Sequence, residues 1–133
     1  MMTQGRLPIL VLDFDGVLHS YTSGWQGAAV IPDPPVPWAM DFLLRAVEEF
    51  EVHILSSRSH QWGGRRAMKR WIRAELFKAT LPVEADDCYA ALKFPRIKPA
   101  AMLTIDDRAL TFTGTWPTMQ ELRRFQPWNK RSL

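Results

Sequence analysis

Cysteine is almost missing from this 133-residue chain: Cys88 stands alone. An intrachain disulfide and a cysteine-based zinc cluster are therefore excluded, and a reducing, cytoplasmic setting is expected. Long apolar runs are missing as well. No stretch approaches the ~18 apolar residues of a membrane span, so no membrane association is expected. Near the start only Arg6 is basic, and the apolar run from Leu7 to Leu12 stops at Asp13, which is not a signal-peptide pattern. Internal repeats and low-complexity tracts are absent. Acids are scarce in one place above all. Between Arg58 and Lys78 the sole acid is Glu75, against Arg58, Arg65, Arg66, Lys69, Arg70, Arg73 and Lys78. The net charge of +3 is thus clustered, which suits an anionic partner.

What is present is ordinary globular composition, 47% hydrophobic and 23% charged, in a length that predicts one domain over residues 1–133. Leu7–Phe14 is too short for a helix and reads as a buried strand. Residues 17–31 read as a loop, followed by a stiff connector with Pro32, Pro34, Pro35 and Pro37. Helical spacing over Pro37–Phe50 and Gln61–Phe77 predicts two helices, with short strands at Val52–Leu55, Cys88–Phe94 and Ala101–Ile105. Thr111–Trp116 reads as an edge strand and Pro117–Phe125 as a last helix. Alternating strands and helices predict an α/β fold: a single doubly wound parallel sheet, Rossmann-like, with helices on both faces. At an ideal 100° per residue, Arg65, Arg66, Lys69, Arg70 and Arg73 fall within ~140° of the second helix, opposite Met68, Trp71 and Ile72. Trp62 opens that helix.

In such sheets ligands bind at the carboxyl ends of the strands. Three predicted strands end in polar groups: Asp13 and Asp15, then Ser56 to Arg58, then Asp106 and Asp107. Four carboxylates converging at one sheet edge repel one another unless neutralised. A divalent cation resolves this, and all-oxygen ligands favour Mg²⁺.

The ordered set Asp13-Phe14-Asp15-Gly16-Val17, Ser56, Lys98 and Asp106-Asp107 resembles the haloacid dehalogenase superfamily, most of whose members are phosphatases. The resemblance covers Leu7 to about Leu110. It implies a Mg²⁺-dependent phosphomonoesterase in which Asp13 attacks phosphorus and carries an aspartyl-phosphate. Asp15 would act as general acid, then as general base. Ser56, directly after the apolar run, would bind a phosphoryl oxygen, with Ser57 as the neighbouring alternative and Gly16 in the adjoining turn. Lys98, or alternatively Lys93, would offset phosphoryl charge. Metal ligation would fall to Asp13, the main-chain carbonyl of Asp15, Asp106 and Asp107.

Neither interval between these motifs has room for a cap domain, so an open site is expected, with Tyr21–Val30 as a small flap. Ser56-Ser57-Arg58 further resembles the second motif of polynucleotide kinase-phosphatases, which implies that Arg58 assists at the phosphate. With the basic helix nearby, the expected substrate is a nucleic-acid terminal phosphate or a nucleotide. His19 and Trp25 are candidate substrate contacts, Trp25 by stacking. A small-metabolite phosphatase, or a catalytically weak module binding nucleic acid or protein, remains the alternative.

Overall fold

The computed structural model describes residues 6–130. The apolar run near the start forms β1 (Ile9–Leu12), the central strand of a three-stranded parallel sheet. Its neighbours are β2 (Glu51–Ile54) and β3 (Leu103–Ile105), giving the order β2-β1-β3. Leu10 is in register with both Val52 and Leu103, and Leu12 with Ile54 and Ile105. Leu10, Val11 and Leu12 are all buried, as a central parallel strand requires.

Helix α1 (Ala39–Glu49) buries Ala39, Met40, Leu43 and Ala46. Helix α2 (Gly64–Ala79) buries Gly64, Met68, Ile72 and Leu76, one residue per turn along a single stripe. Both expected helices are therefore present, with shifted ends. One apolar core joins these residues to Leu12, Phe14, Leu18, Val52 and Ile54.

The segment expected as a strand from Cys88 to Phe94 is mostly helix. Helix α3 spans Pro82–Ala91, with proline in its first turn and Glu84 close behind, and it buries Ala85 and Cys88. A short apolar run has no decisive period of its own, and the start signals upstream settle it as helix. Burial pushes the Cys88 thiol up to about 11, which makes it inert. Strand-like pairing survives at Lys93 alone. Its N–H donates to Val52 O (3.0 Å), and its carbonyl accepts from Ile54 N (2.8 Å).

The α/β fold with a parallel sheet is present, whereas the doubly wound arrangement with helices on both faces is not established. Helices α1, α2 and α3 pack on one another. The return to β3 carries no helix, and α4 (Met119–Arg123) buries none of its residues. Thr111–Trp116 pairs with no strand among the described residues; Phe112 and Trp116 stack on each other at 4.7 Å and stay exposed. No helix among the described residues is long and apolar enough to cross a membrane.

Candidate metal and phosphate site

Parallel pairing aligns the carboxyl ends of the three strands, and the ladder runs one residue past β1 and β2. Asp13 N donates to Ile105 O (2.9 Å), and Leu55 N donates to Leu12 O (3.0 Å). Asp13, Ser56, Asp106 and Asp107 are thereby delivered to one place. With Asp15, Tyr21, Ser57 and Arg108 they line a cavity of about 380 Å³.

Asp13, Asp106 and Asp107 each present an oxygen within 4.8 Å of the others. Mg²⁺–O bonds of ~2.1 Å put opposed ligands ~4.2 Å apart, so small adjustments suffice. Two further observations fit a cation. Asp107 Oδ1 is buried with no hydrogen-bond partner among the described residues. Burial, a hydrogen bond with Asp107 and the charge of Asp106 push the Asp13 carboxyl up to about 8. A proton is therefore held where a cation would otherwise neutralise the cluster. Gly16 makes the arrangement possible: its φ is +84°, and a Cβ there would overlap the Asp107 carboxylate. Trp128, near the other end of the chain, clamps the same turn by donating from Nε1 to Gly16 O (2.7 Å).

Asp15 is not one of the three grouped carboxylates. Arg58 grips its side chain from two sides, Nε to Oδ2 (2.9 Å) and Nη2 to Oδ1 (3.1 Å). His19 Nδ1 lies 2.9 Å from Oδ1. Asp33 N donates to His19 Nε2 (3.1 Å), which assigns the ring proton to Nδ1 and makes His19 the donor to Asp15. Burial alone would raise the Asp15 carboxyl, but these donors outweigh it and hold it below its ordinary value. Asp15 is thus kept ionised.

Several expected substrate contacts lie elsewhere. Arg58 is 0% exposed and is the largest fully buried side chain. Its Nη1 donates to the carbonyls of Gly27 (2.9 Å), Ala28 (2.8 Å) and Val30 (3.0 Å), pinning the expected flap. Its guanidinium lies 4.7 Å from the Trp25 ring. All three guanidinium nitrogens bond inside the fold, so Arg58 positions Asp15 and the loop instead of meeting a phosphate. Trp25 gives one face to Arg58 and lines neither the carboxylate cavity nor the larger groove described below. His19 is fully buried and stacked on Phe14, so it too is a positioning residue.

Ser56 and Ser57 both line the cavity. Ser56 Oγ accepts from Arg58 N (3.1 Å) as the cap of a 3₁₀ turn at Ser57–His60, which leaves its hydroxyl proton to donate. Lys98 and Lys93 are exposed and do not line the cavity. The cation that does is Arg108, whose Nε stands 3.9 Å from Asp107 Oδ2. Sequence reasoning gave Arg108 no role, although it directly follows the aspartate pair. Tyr21, with a strained φ of 61°, is the other residue missed, and no local signal points to it.

No family model, no curated protein and no solved structure matches the chain.

Proposed function

We propose that the chain is a Mg²⁺-dependent phosphomonoesterase of the haloacid dehalogenase type, acting through an aspartyl-phosphate on Asp13. The carrying observation is the convergence of Asp13, Asp106 and Asp107 beside Asp15 and a serine hydroxyl at the ends of parallel strands. An Asp13 oxygen attacks phosphorus, and the ester oxygen leaves with its electron pair. Water then attacks the acyl phosphate, gives its proton to Asp15 and releases inorganic phosphate. The ionised Asp15 supports the second step directly. It works against the acid half of the expected role, so esters with good leaving groups are favoured. Ser56 donates to a phosphoryl oxygen, and Arg108 takes the charge-offsetting role expected of Lys98. Asp13, Asp106 and Asp107 would hold Mg²⁺, which would keep Asp13 ionised and offset charge on the phosphoryl oxygens.

The deciding experiment is Mg²⁺-dependent phosphate release from p-nitrophenyl phosphate, nucleotides, sugar phosphates and end-phosphorylated oligonucleotides. Release is expected with at least one class and must vanish with Asp13→Asn. Asp13-independent release, or none at all, ends this reading.

Metal binding is checked separately by thermal melting. At about 100 times its Kd, Mg²⁺ stabilises by about 2.7 kcal/mol. For a chain of this size that raises Tm by about 8–10 °C. Asp106→Asn should remove most of the shift. An unchanged Tm across millimolar Mg²⁺ would count against the site.

A further inference from the structure

A groove of about 900 Å³ lies beside the carboxylate site. Its charged and aromatic lining is His60, Trp62, Arg65, Arg66, Arg70 and Arg96, with no acid among the lining residues. Trp62 is 96% exposed, so it contributes nothing to the core. The arginines divide by partner. Further along α2, Arg73 meets Asp86 (3.3 Å) and Lys78 meets Glu75 (3.1 Å). Arg65 is anchored by its Nε to Phe94 O (2.9 Å). Arg66, Arg70 and Arg96 make no ion pair among the described residues, so the groove keeps its positive charge.

The groove is also built from rigid parts. Gly63 turns the chain at φ +77°, and Gly64 packs so closely that a Cβ would overlap the Arg58 carbonyl. This holds the start of α2 against the 3₁₀ turn, with Trp62 projecting. That turn joins the two sites: Ser57 lines the carboxylate cavity, and Ser59 and His60 line the groove.

We infer that this groove binds a single-stranded polynucleotide, its backbone on Arg66, Arg70 and Arg96 and a base stacked on Trp62. A positive track beside an exposed aromatic face is the combination that holds single strands without reading their sequence. The turn shared by the two cavities then places one end of the strand at the carboxylates. Delivery of that end rests on the phosphatase reading; strand binding does not.

Fluorescence anisotropy with a labelled 12-nucleotide single strand tests it, in wild type and in Asp13→Asn, which removes turnover. Both should bind alike, with log K falling about 0.7 per phosphate contact for each tenfold rise in salt. Arg66→Glu with Arg70→Glu should weaken binding about 100-fold and flatten the salt slope. Trp62→Ala should cost about 10-fold, with Trp62→Phe retaining most of the affinity. Turnover of p-nitrophenyl phosphate should be unchanged in all three groove variants. Unaltered binding in the double variant overturns the proposal. So does an unaltered Trp62→Ala, or equal competition by base-free polyphosphate at matched phosphate. Strand binding of the expected pattern without Asp13-dependent release keeps the groove and removes the phosphatase reading.

Discussion

Arg58→Met is expected to lower the melting temperature by about 10–20 °C and to cripple phosphate release. Methionine approximates the length of the side chain but none of its five donors. Asp15 would lose both bonds from the guanidinium, and the carbonyls of Gly27, Ala28 and Val30 would lose their shared donor. Breaking a buried ion pair from one side costs about 3–5 kcal/mol, because the other charge stays buried and unpaired. At roughly 3–4 °C per kcal/mol for a chain of this length, that gives the stated range. Arg58→Lys restores charge without the two-pronged grip and should recover only part of the loss. The effect has a pH signature. The Asp15 carboxyl is held below its ordinary value of 3.8, so its stabilisation is present above that pH. It is lost as pH falls through the lowered value. The gap between wild type and Arg58→Met should therefore narrow under acid. A Tm change within ~2 °C at neutral pH would show that Arg58 does not hold this corner of the fold.

Asp13→Asn should have opposite effects on activity and on stability. Removing the nucleophile is expected to cut phosphate release by about 10⁴-fold or more. Without divalent cation, however, the variant should be the more stable protein at alkaline pH. The Asp13 carboxyl is pushed up to about 8, foremost by burial and then by its two aspartate neighbours. A carboxyl raised on folding contributes stability below its unfolded value near 3.8 and loses it as pH rises through about 8. Asparagine is neutral throughout and escapes that loss. Tm measured in chelator at pH 5.5 and pH 8.5 should show the variant gaining on wild type with rising pH. Saturating Mg²⁺ should reverse the order, since only wild type offers the full carboxylate set. Equal pH dependence of the two proteins would mean that Asp13 is not a crowded carboxyl.

Some of this was open to reading in the sequence. An apolar run too short for a helix, ended by Asp13, Asp15 and Gly16, is locally unambiguous, because burial and the turn are both encoded within a few residues. The helices over Ala39–Glu49 and Gly64–Ala79 were visible for the same reason: their buried residues recur at helical spacing. The segment around Cys88 was misread because an apolar run of that length suits either period, and the decisive signals lie upstream at Pro82 and Glu84. The second helical layer was expected from the alternation of elements. Alternation sets handedness, but a face is covered only if the return connection supplies a helix, and residues 95–102 supply none.

The cations show the boundary most clearly. In the sequence Arg58, Lys98 and Arg108 are equivalent positive charges near three strand ends. Arg58 is drawn into the fold by Asp15 and by three carbonyls from a loop some thirty residues earlier. Lys98 is left in solvent, while Arg108 faces the cavity. The chain order alone determined that four carboxylates meet at one sheet edge, because parallel strands must end on the same side. Only the tertiary structure decided which positive groups meet them, because that choice depends on which donors find enough distant acceptors to survive burial.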